Sequence, residues 1–295
     1  MSYISVLTIA FAAIISCSFK NQNDMDSEKK TLDKQPQVAG SNQEKNLYGS
    51  KGRIFITGST DGLGFLAAKS LIAEGYSVVI HARNEKRRLE VLQKLPQVEA
   101  VVVGDLSDME ATKTLTAEVN KLGPFKTIIH NAGVYQASSG DILRVNLLAP
   151  YILTCLIDRP ERLIYISSDM HAQGSAKIKE IADGTAKNFT YSDSKLAILL
   201  LSKAIAHKWK GIYSNAVDPG WVPTKMGGAG APDDLQEGFK TQVWLAASTD
   251  NNATVTGRYF HHMEEDSYNR LADDVRLQQE LLDACKKATG ISLPQ

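Results

Sequence analysis

From Gly52 onward the chain alternates short runs of β-branched and aromatic residues with longer helical stretches, and that alternation leaves it few folds to choose from. The apolar runs are RIFIT (Arg53–Thr57), SVVIHA (Ser77–Ala82), VEAVVVG (Val98–Gly104), TIIHN (Thr127–Asn131), RLIYIS (Arg162–Ser167), IYSNAVD (Ile212–Asp218) and a last one near Val255–Phe260. Runs of this kind are strands buried on both faces. Between them lie Leu63–Glu74, Lys86–Leu95, Leu106–Lys121, Ile142–Ile157 and Ser192–Lys208, which read as helices. Strand–helix alternation over seven strands calls for right-handed crossovers, so the expected fold is α/β, a doubly wound seven-stranded parallel sheet in a single domain. Such sheets bind ligands in the crevice beyond the carboxyl ends of their strands. Functional residues should therefore follow strands directly.

The first run leads straight into TGSTDGLG, Thr57 to Gly64. Gly58 permits a tight turn, Gly62 lets backbone approach a phosphate, and Gly64 lets helix and strand pack closely. The helix that follows offers free N–H groups and its positive end to a pyrophosphate. The second run ends HARNEKR. A ribose 2′-hydroxyl calls for a carboxylate here and a 2′-phosphate for a cation. Ala82 stands where an Asp would, and Arg83 follows with a guanidinium suited to paired N–H bonds, which favours NADP over NAD. Lys86, Arg87 and Arg88 equally fit a solvated charged loop. Gly104-Asp105-Leu106 follows the third run and HNAG (His130–Gly133) the fourth. Asp105 and Asn131 can hold an adenine and the sheet, or serve as ordinary turn and cap residues. Ser167-Ser168 ends the fifth run, YSDSK (Tyr191–Lys195) opens the next helix, and DPGWVPTKMGG (Asp218–Gly228) follows the sixth. In YSDSK a phenol and an ammonium share one helix face, one turn apart. Alone, that pair is ordinarily a surface feature.

In combination these motifs resemble the short-chain dehydrogenase/reductase family, a Rossmann fold. TGSTDGLG, Asp105, NAG, Asn146, Ser168, YSDSK and PGWVPT occur in the family's order, and the likeness runs from Lys51 to the end. The nearer likeness is to bacterial oxidoreductases related to retinol dehydrogenases and polyketide-type ketoreductases. The resemblance implies NAD(P)-dependent hydride transfer to or from a carbonyl or alcohol substrate, with Tyr191 as general acid or base. Lys195 would tune the phenol and hold the nicotinamide ribose, Ser168 would hydrogen-bond the carbonyl oxygen, and Asn146 would position a water relaying protons to Lys195. Free tyrosine titrates near ~10, and a neighbouring ammonium with the positive nicotinamide is expected to lower that. Ser168 matches the catalytic position, and strand alternation points Ser167 the other way. Cofactor contacts carried over are Gly58, Ser59, Thr60, Gly62, Leu63, Gly64, Arg83, Asp105, Leu106, Asn131, Ala132, Gly133, Pro219, Gly220, Val222 and Thr224, besides Tyr191 and Lys195. Thr224 would meet the nicotinamide carboxamide.

There are departures from the family pattern. His130 stands where an asparagine is usual. The short interval from NAG to Asn146 shortens a helix that many relatives use for tetramer packing, which leaves the oligomeric state open. The interval from Ser168 to Tyr191 is 23 residues, longer than usual, and Ala172–Asn188 is expected to edge the substrate pocket. GGAGAPDD, after PGWVPT, reads as a mobile lid. His171 is given no role.

Other classes fall away on composition and spacing. Lys+Arg and Asp+Glu number 33 each, so there is no basic excess for nucleic acid. Cys17, Cys155 and Cys285 form no metal-ligand pattern, and Cys155 reads as a core residue. Asp169–Asn188 and Gly227–Glu237 carry no charge cluster that demands a phosphate or carboxylate, so a neutral, fairly apolar carbonyl or alcohol is expected. A silent NADP-binding sensor would have lost Tyr191 or Lys195. A sugar-nucleotide enzyme of the extended type would show TGxxGxxG and more chain after Asp218.

Residues 1–19 read as a membrane-directing segment, 20–50 as a flexible polar tether and 51–295 as the catalytic domain. Val6–Ile15 are almost wholly apolar, and Ile14–Cys17 resembles a lipobox, without the basic residue that normally precedes a signal core. A transmembrane anchor and a start at Met25 compete with that reading. Because NADP(H) is a cytoplasmic currency, membrane attachment with the catalytic domain on the cytoplasmic side is expected.

Overall fold

The computed structural model describes residues 51–295, so the readings made on residues 1–19 and 20–50 lie outside the described residues. Each apolar run becomes a strand: β1 Arg53–Ile56, β2 Ser77–Ala82, β3 Ala100–Val103, β4 Thr127–His130, β5 Arg162–Ile166, β6 Tyr213–Asp218 and β7 Tyr259–His261. Every neighbouring pair among these seven is parallel. An eighth strand, β8 (Glu264–Glu265), pairs antiparallel with β7, giving the order β3-β2-β1-β4-β5-β6-β7-β8. Both β8 residues are exposed and no apolar run announces them.

Period-two alternation explains the apolar character of the runs. Ile54, Ile56, Val78, Ile80, Ile129 and Ile164 enter the core on one face of the sheet, and Phe55, Val79, Ile128, Leu163 and Tyr165 the core on the other. The chain leaves β1 for β2 and β3 on one side, then returns to β4 on the other. The ends of β1 and β4 therefore flank the crevice where a doubly wound sheet takes its ligand.

The helices are α1 Gly62–Ala73, α2 Glu85–Lys94, α3 Met109–Leu122, α4 Ser139–Leu143, α5 Ala149–Leu156, α6 Ile178–Ala182, α7 Tyr191–Lys208, α8 Leu235–Ala247 and α9 Val275–Thr289. The helix expected from Leu106 starts at Met109 instead. Asp105 closes a turn by accepting from Ser107 N–H (2.9 Å), and the Asp108 carboxylate caps the amides of Glu110 and Ala111. The helix expected over Ile142–Ile157 is longer and is interrupted by a π turn, Arg144–Leu148, between α4 and α5. Asn146 sits in that turn.

Helix α7 owes its start to a capping box. Thr190 Oγ1 accepts from Asp193 N–H (3.2 Å) while the Asp193 carboxylate accepts from Thr190 N–H (2.9 Å). Tyr191 is thus the first helical residue. The longer segment before it is largely packed into the core, with Ile181, Ala186 and Phe189 buried and Asp183 paired with Lys287 on α9 at 2.8 Å, while Ala172 at its start lines a cleft.

Candidate active site

The glycine-rich turn is shaped by close approaches. Gly58 has φ +62°, and a Cβ there would lie 2.7 Å from the Ala132 Cα. A Cβ on Gly64 would run into the Asn131 amide and the Gly58 carbonyl. Asn131 is committed to this turn, its Nδ2 donating to the carbonyls of Thr57 (3.0 Å) and Gly58 (3.1 Å), while Ala132 N–H donates to Thr57 Oγ1 (3.0 Å). Ser59 is buried and likewise committed, donating to Ile56 O (2.8 Å) and accepting from His81 N–H (3.1 Å). The side chains of Leu106 and Val222 are buried as well. At Ser59, Leu106 and Val222 the buried side chains leave backbone to serve a ligand, whereas Thr60, Gly62 and Leu63 lie half-buried at the lip.

Charged residues gather where β2 ends. Arg83 is exposed and enters no ion pair among the described residues. Arg87 pairs with Asp61 and with Glu90 (3.1 Å), and Lys225 reaches Asp61 from the far side at 2.8 Å. Burial pulls the Asp61 carboxyl upward, but the hydrogen bonds from Lys225 and Arg87 outweigh it and hold the group below the usual carboxylate range. Asp61 therefore ties the glycine turn to the segment after β6. That segment is pinned elsewhere too: Trp221 N–H donates to the Asp233 carboxylate (2.6 Å), Asp233 N–H to Trp221 O (3.1 Å) and Gly227 N–H to Thr224 Oγ1 (3.1 Å). Gly220, at φ +78°, has no room for a side chain, since a Cβ would lie 2.7 Å from the Asp233 carboxylate. Thr224 lies beside Gly62.

Tyr191, Lys195, Ser168 and Asn146 converge beyond the ends of β4 and β5. Lys195 is buried, its Nζ donating to Ile166 O (2.8 Å) and lying 5.1 Å from the Tyr191 ring centre. The Ser168 hydroxyl donates to Asp169 Oδ1 (2.9 Å) and is close enough to Tyr191 to pull its phenol downward. Ser167 instead is buried, with its hydroxyl donating to Lys195 O (2.9 Å). Asn146 Oδ1 accepts from Val134 N–H (2.8 Å), and its Nδ2 donates to Val134 O (2.9 Å) and Ser194 Oγ (3.0 Å). A Cβ on Gly133 would sit 3.5 Å from Asn146 Oδ1 and 3.7 Å from Lys195 Nζ, so the glycine keeps open the space between them.

The electrostatics of this group run opposite to the expected lowering of the phenol. Burial, then the charges of Asp218 and Asp169, push Tyr191 well above the ordinary tyrosine range. Burial lowers Lys195 to about 8 against the opposing pull of Asp218. Within the protein's own field, Tyr191 is therefore an acid that keeps its proton at neutral pH.

The comparisons with known proteins bear on this arrangement. The model of the short chain dehydrogenase family matches residues 53–234. The chain belongs to the short-chain dehydrogenase family. An uncharacterized oxidoreductase of Emericella nidulans, AN7799, is similar to this short-chain dehydrogenase at 41% identity, covering 82% of this chain and 98% of the relative. Retinol dehydrogenase 14 of Mus musculus is 26% identical over 81% of this chain and 86% of its own. Among solved structures, an uncharacterised protein from Mycobacterium paratuberculosis superposes with a TM-score of 0.70 at 20% identity, covering 83% and 96% of the two chains. A blue fluorescent protein from a metagenomic library, in complex with NADPH, gives 0.60 at 21% identity, covering 73% and 97%. By its family the protein is an oxidoreductase acting on a small molecule.

Several residues of this short-chain dehydrogenase escape sequence reasoning. His171 Nδ1 donates to Ser168 O (2.6 Å) and its Nε2 accepts from Asn269 N–H (3.1 Å), so the histidine given no role braces the serine. Tyr135 packs edge-on against Tyr191, ring centres 4.8 Å apart. Asp218 is buried, accepts from Gly220 N–H (2.9 Å) and lies 3.7 Å from His261. A cleft of about 510 Å³ next to Ser168 is lined by Asp169, His171, Ala172, Tyr259 and residues 266–269. It carries the carboxylates of Asp169 and Asp266, the second of which lies outside the segments expected to form the pocket. Residues 266–269 follow the last strand, where no motif points.

Proposed function

We propose that the protein is an NADP(H)-dependent oxidoreductase that interconverts a small carbonyl compound and its alcohol, with Tyr191 as the proton-transferring group. The observation that carries this is the convergence of Tyr191 and Lys195, one helical turn apart with the ammonium 5.1 Å from the phenol ring centre, beside Ser168 at the end of β5. The crevice fits a dinucleotide: Gly58 and Gly62 hold φ of +62° and +56°, and a side chain at 133 would fill the gap beside Lys195. Gly58, Gly62, Gly64 and the backbone of Ser59 and Thr60 would take the pyrophosphate. Asp105, Leu106 and the strand-end residues Asn131 to Gly133 would flank the adenosine and ribose, and Pro219, Gly220, Val222 and Thr224 would flank the nicotinamide. Arg83, exposed and beside Ala82 rather than a carboxylate, favours a 2′-phosphate. When bound, the nicotinamide supplies or accepts the hydride.

The chain's own residues handle the proton. As charge develops on the substrate oxygen, the Tyr191 hydroxyl donates its proton and the Ser168 hydroxyl adds a hydrogen bond to the same oxygen. The buried Lys195 ammonium offsets the phenolate that remains. Asn146, anchored to Val134, keeps one lone pair on Oδ1 for a water on the path to Lys195. At neutral pH Tyr191 holds its proton, the form from which it can donate to a substrate oxygen.

A screen of aldehydes, ketones and quinones with purified residues 51–295, following NADPH consumption, tests this. Tyr191→Phe should lower turnover by about 10²–10⁴-fold with NADPH affinity nearly unchanged, because only the proton path is removed. Lys195→Ala should weaken both. More than about a tenth of wild-type turnover in Tyr191→Phe would contradict the assignment.

A further inference from the structure

His81 ends no motif, yet it is buried between two turns of the crevice. Its Nδ1 accepts from Gly58 N–H (3.1 Å), so the ring proton is on Nε2, which donates to Gly104 O (2.7 Å). Its backbone N–H donates to Ser59 Oγ (3.1 Å). The imidazole therefore spans from the glycine-rich turn after β1 to the turn holding Asp105 after β3. Those strands are not neighbours, since β2 lies between them. No backbone ladder can align their ends directly, and a ring at the end of β2 with one acceptor and one donor can.

We propose that His81 is a positioning residue that sets the spacing between the Gly58 turn and the Gly104–Asp105 turn, and so holds the adenosine half of the crevice in shape for a dinucleotide. This rests on the dinucleotide reading of the crevice given above. The alternative, that His81 only fills volume, leaves both ring hydrogen bonds without a purpose. The bonding pattern exists only for neutral imidazole, because a protonated Nδ1 would face the Gly58 N–H, donor against donor. Burial lowers the tendency of the ring to protonate, against the opposing pulls of the Gly104 carbonyl and the Asp105 carboxylate, the charged group that faces it. The neutral form is thus kept through the physiological range.

The test is fluorescence titration of NADPH and NADH into wild type, His81→Phe and His81→Gln, each with wild-type far-UV circular dichroism. Phenylalanine keeps the volume and loses both bonds, and glutamine keeps an acceptor and a donor. His81→Phe should weaken NADPH binding by on the order of tenfold or more, as expected for a displaced binding loop, and His81→Gln should recover part of that loss. In wild type, affinity should fall as pH drops below the ordinary histidine range, while in His81→Gln, which has nothing to titrate there, this component should be absent. Wild-type affinity in His81→Phe, or the same acid-side loss in His81→Gln as in wild type, overturns the proposal while leaving the dinucleotide reading intact. Should His81→Phe not fold, the pH comparison with His81→Gln decides. A wild type that binds neither dinucleotide overturns both.

Discussion

Tyr191 sits at the junction of two opposing pulls. Burial keeps its proton on, and in the proposed reaction Lys195, the buried cation one turn away, would steady the phenolate once the proton leaves. Asp218 acts on both, raising the phenol and the ammonium alike. Replacing it with asparagine removes a negative charge and should let both titrate at lower pH. The expected outcome for Asp218→Asn is an alkaline limb of carbonyl reduction, in a pH profile of kcat/KM, shifted toward neutral pH. A limb that stays in place would show that Asp218 is too well screened to matter. The strand pattern places Ser168 at the crevice mouth, just beyond β5, whereas Tyr191, Lys195 and Asn146 are singled out by the resemblance to the short-chain dehydrogenase family. The sequence does not tell which way the phenol titrates, since that depends on burial by residues distant in the chain.

Among the elements, the segments after β1, β2 and β6 are joined by Asp61, which binds Arg87 and Lys225, while Arg83 enters no ion pair among the described residues. Cofactor preference should then rest on Arg83. Replacing Ala82 with Asp and Arg83 with Ser should move preference from NADP(H) toward NAD(H), because a carboxylate takes over a ribose hydroxyl and the phosphate loses its cation. Cofactor titration measures this, and tighter binding of NADH than NADPH by the unmodified protein would contradict it. The main strands and helices were legible because double-sided burial demands continuous apolar runs. The π turn at Asn146, the brief β8 and helices α6, α8 and α9 were not read. The first two leave no periodicity to find, α6 is a five-residue helix too short to show one, and α8 and α9 follow the last motif.

For the molecule as a whole, the buried histidines contribute to the loss of stability in acid. His130, fully enclosed and stacked on Tyr165 at 4.7 Å, is pushed by burial from 6.5 down to about 3. The unfolded chain takes up this proton first, so the stability tied to the neutral ring is complete above about pH 6.5 and is lost as pH falls toward 3. The slope is at most about 1.4 kcal/mol per pH unit for each such group. His81, also lowered by burial, adds in the same sense. Thermal midpoints should fall more steeply below neutral pH in wild type than in His130→Asn, and equal slopes would remove His130 from the account. Among the described residues no helix is long and apolar enough to cross a membrane. The apolar segment Val6–Ile15 leads to a separate prediction: full-length chain should fractionate with membranes, and chain starting at Met25 should not, with the catalytic domain protected from external protease. Equal solubility of the two would mean that the segment is no anchor.

What the amino-acid sequence determined by itself is the strand succession and the doubly wound plan, because contiguous apolar runs are local properties. Tertiary structure alone decided how polar groups are used. Asn131 looks free to meet a ligand until Thr57 and Gly58, more than seventy positions away, claim its amide. Ser167 and Ser168 are neighbours of one type, and only packing sends the first to Lys195 O and the second toward Tyr191. His81 and Asp61 acquire meaning only when distant turns close on them. Hydrogen bonds and burial depend on which atoms meet across the fold, and that meeting is written in no single stretch of chain.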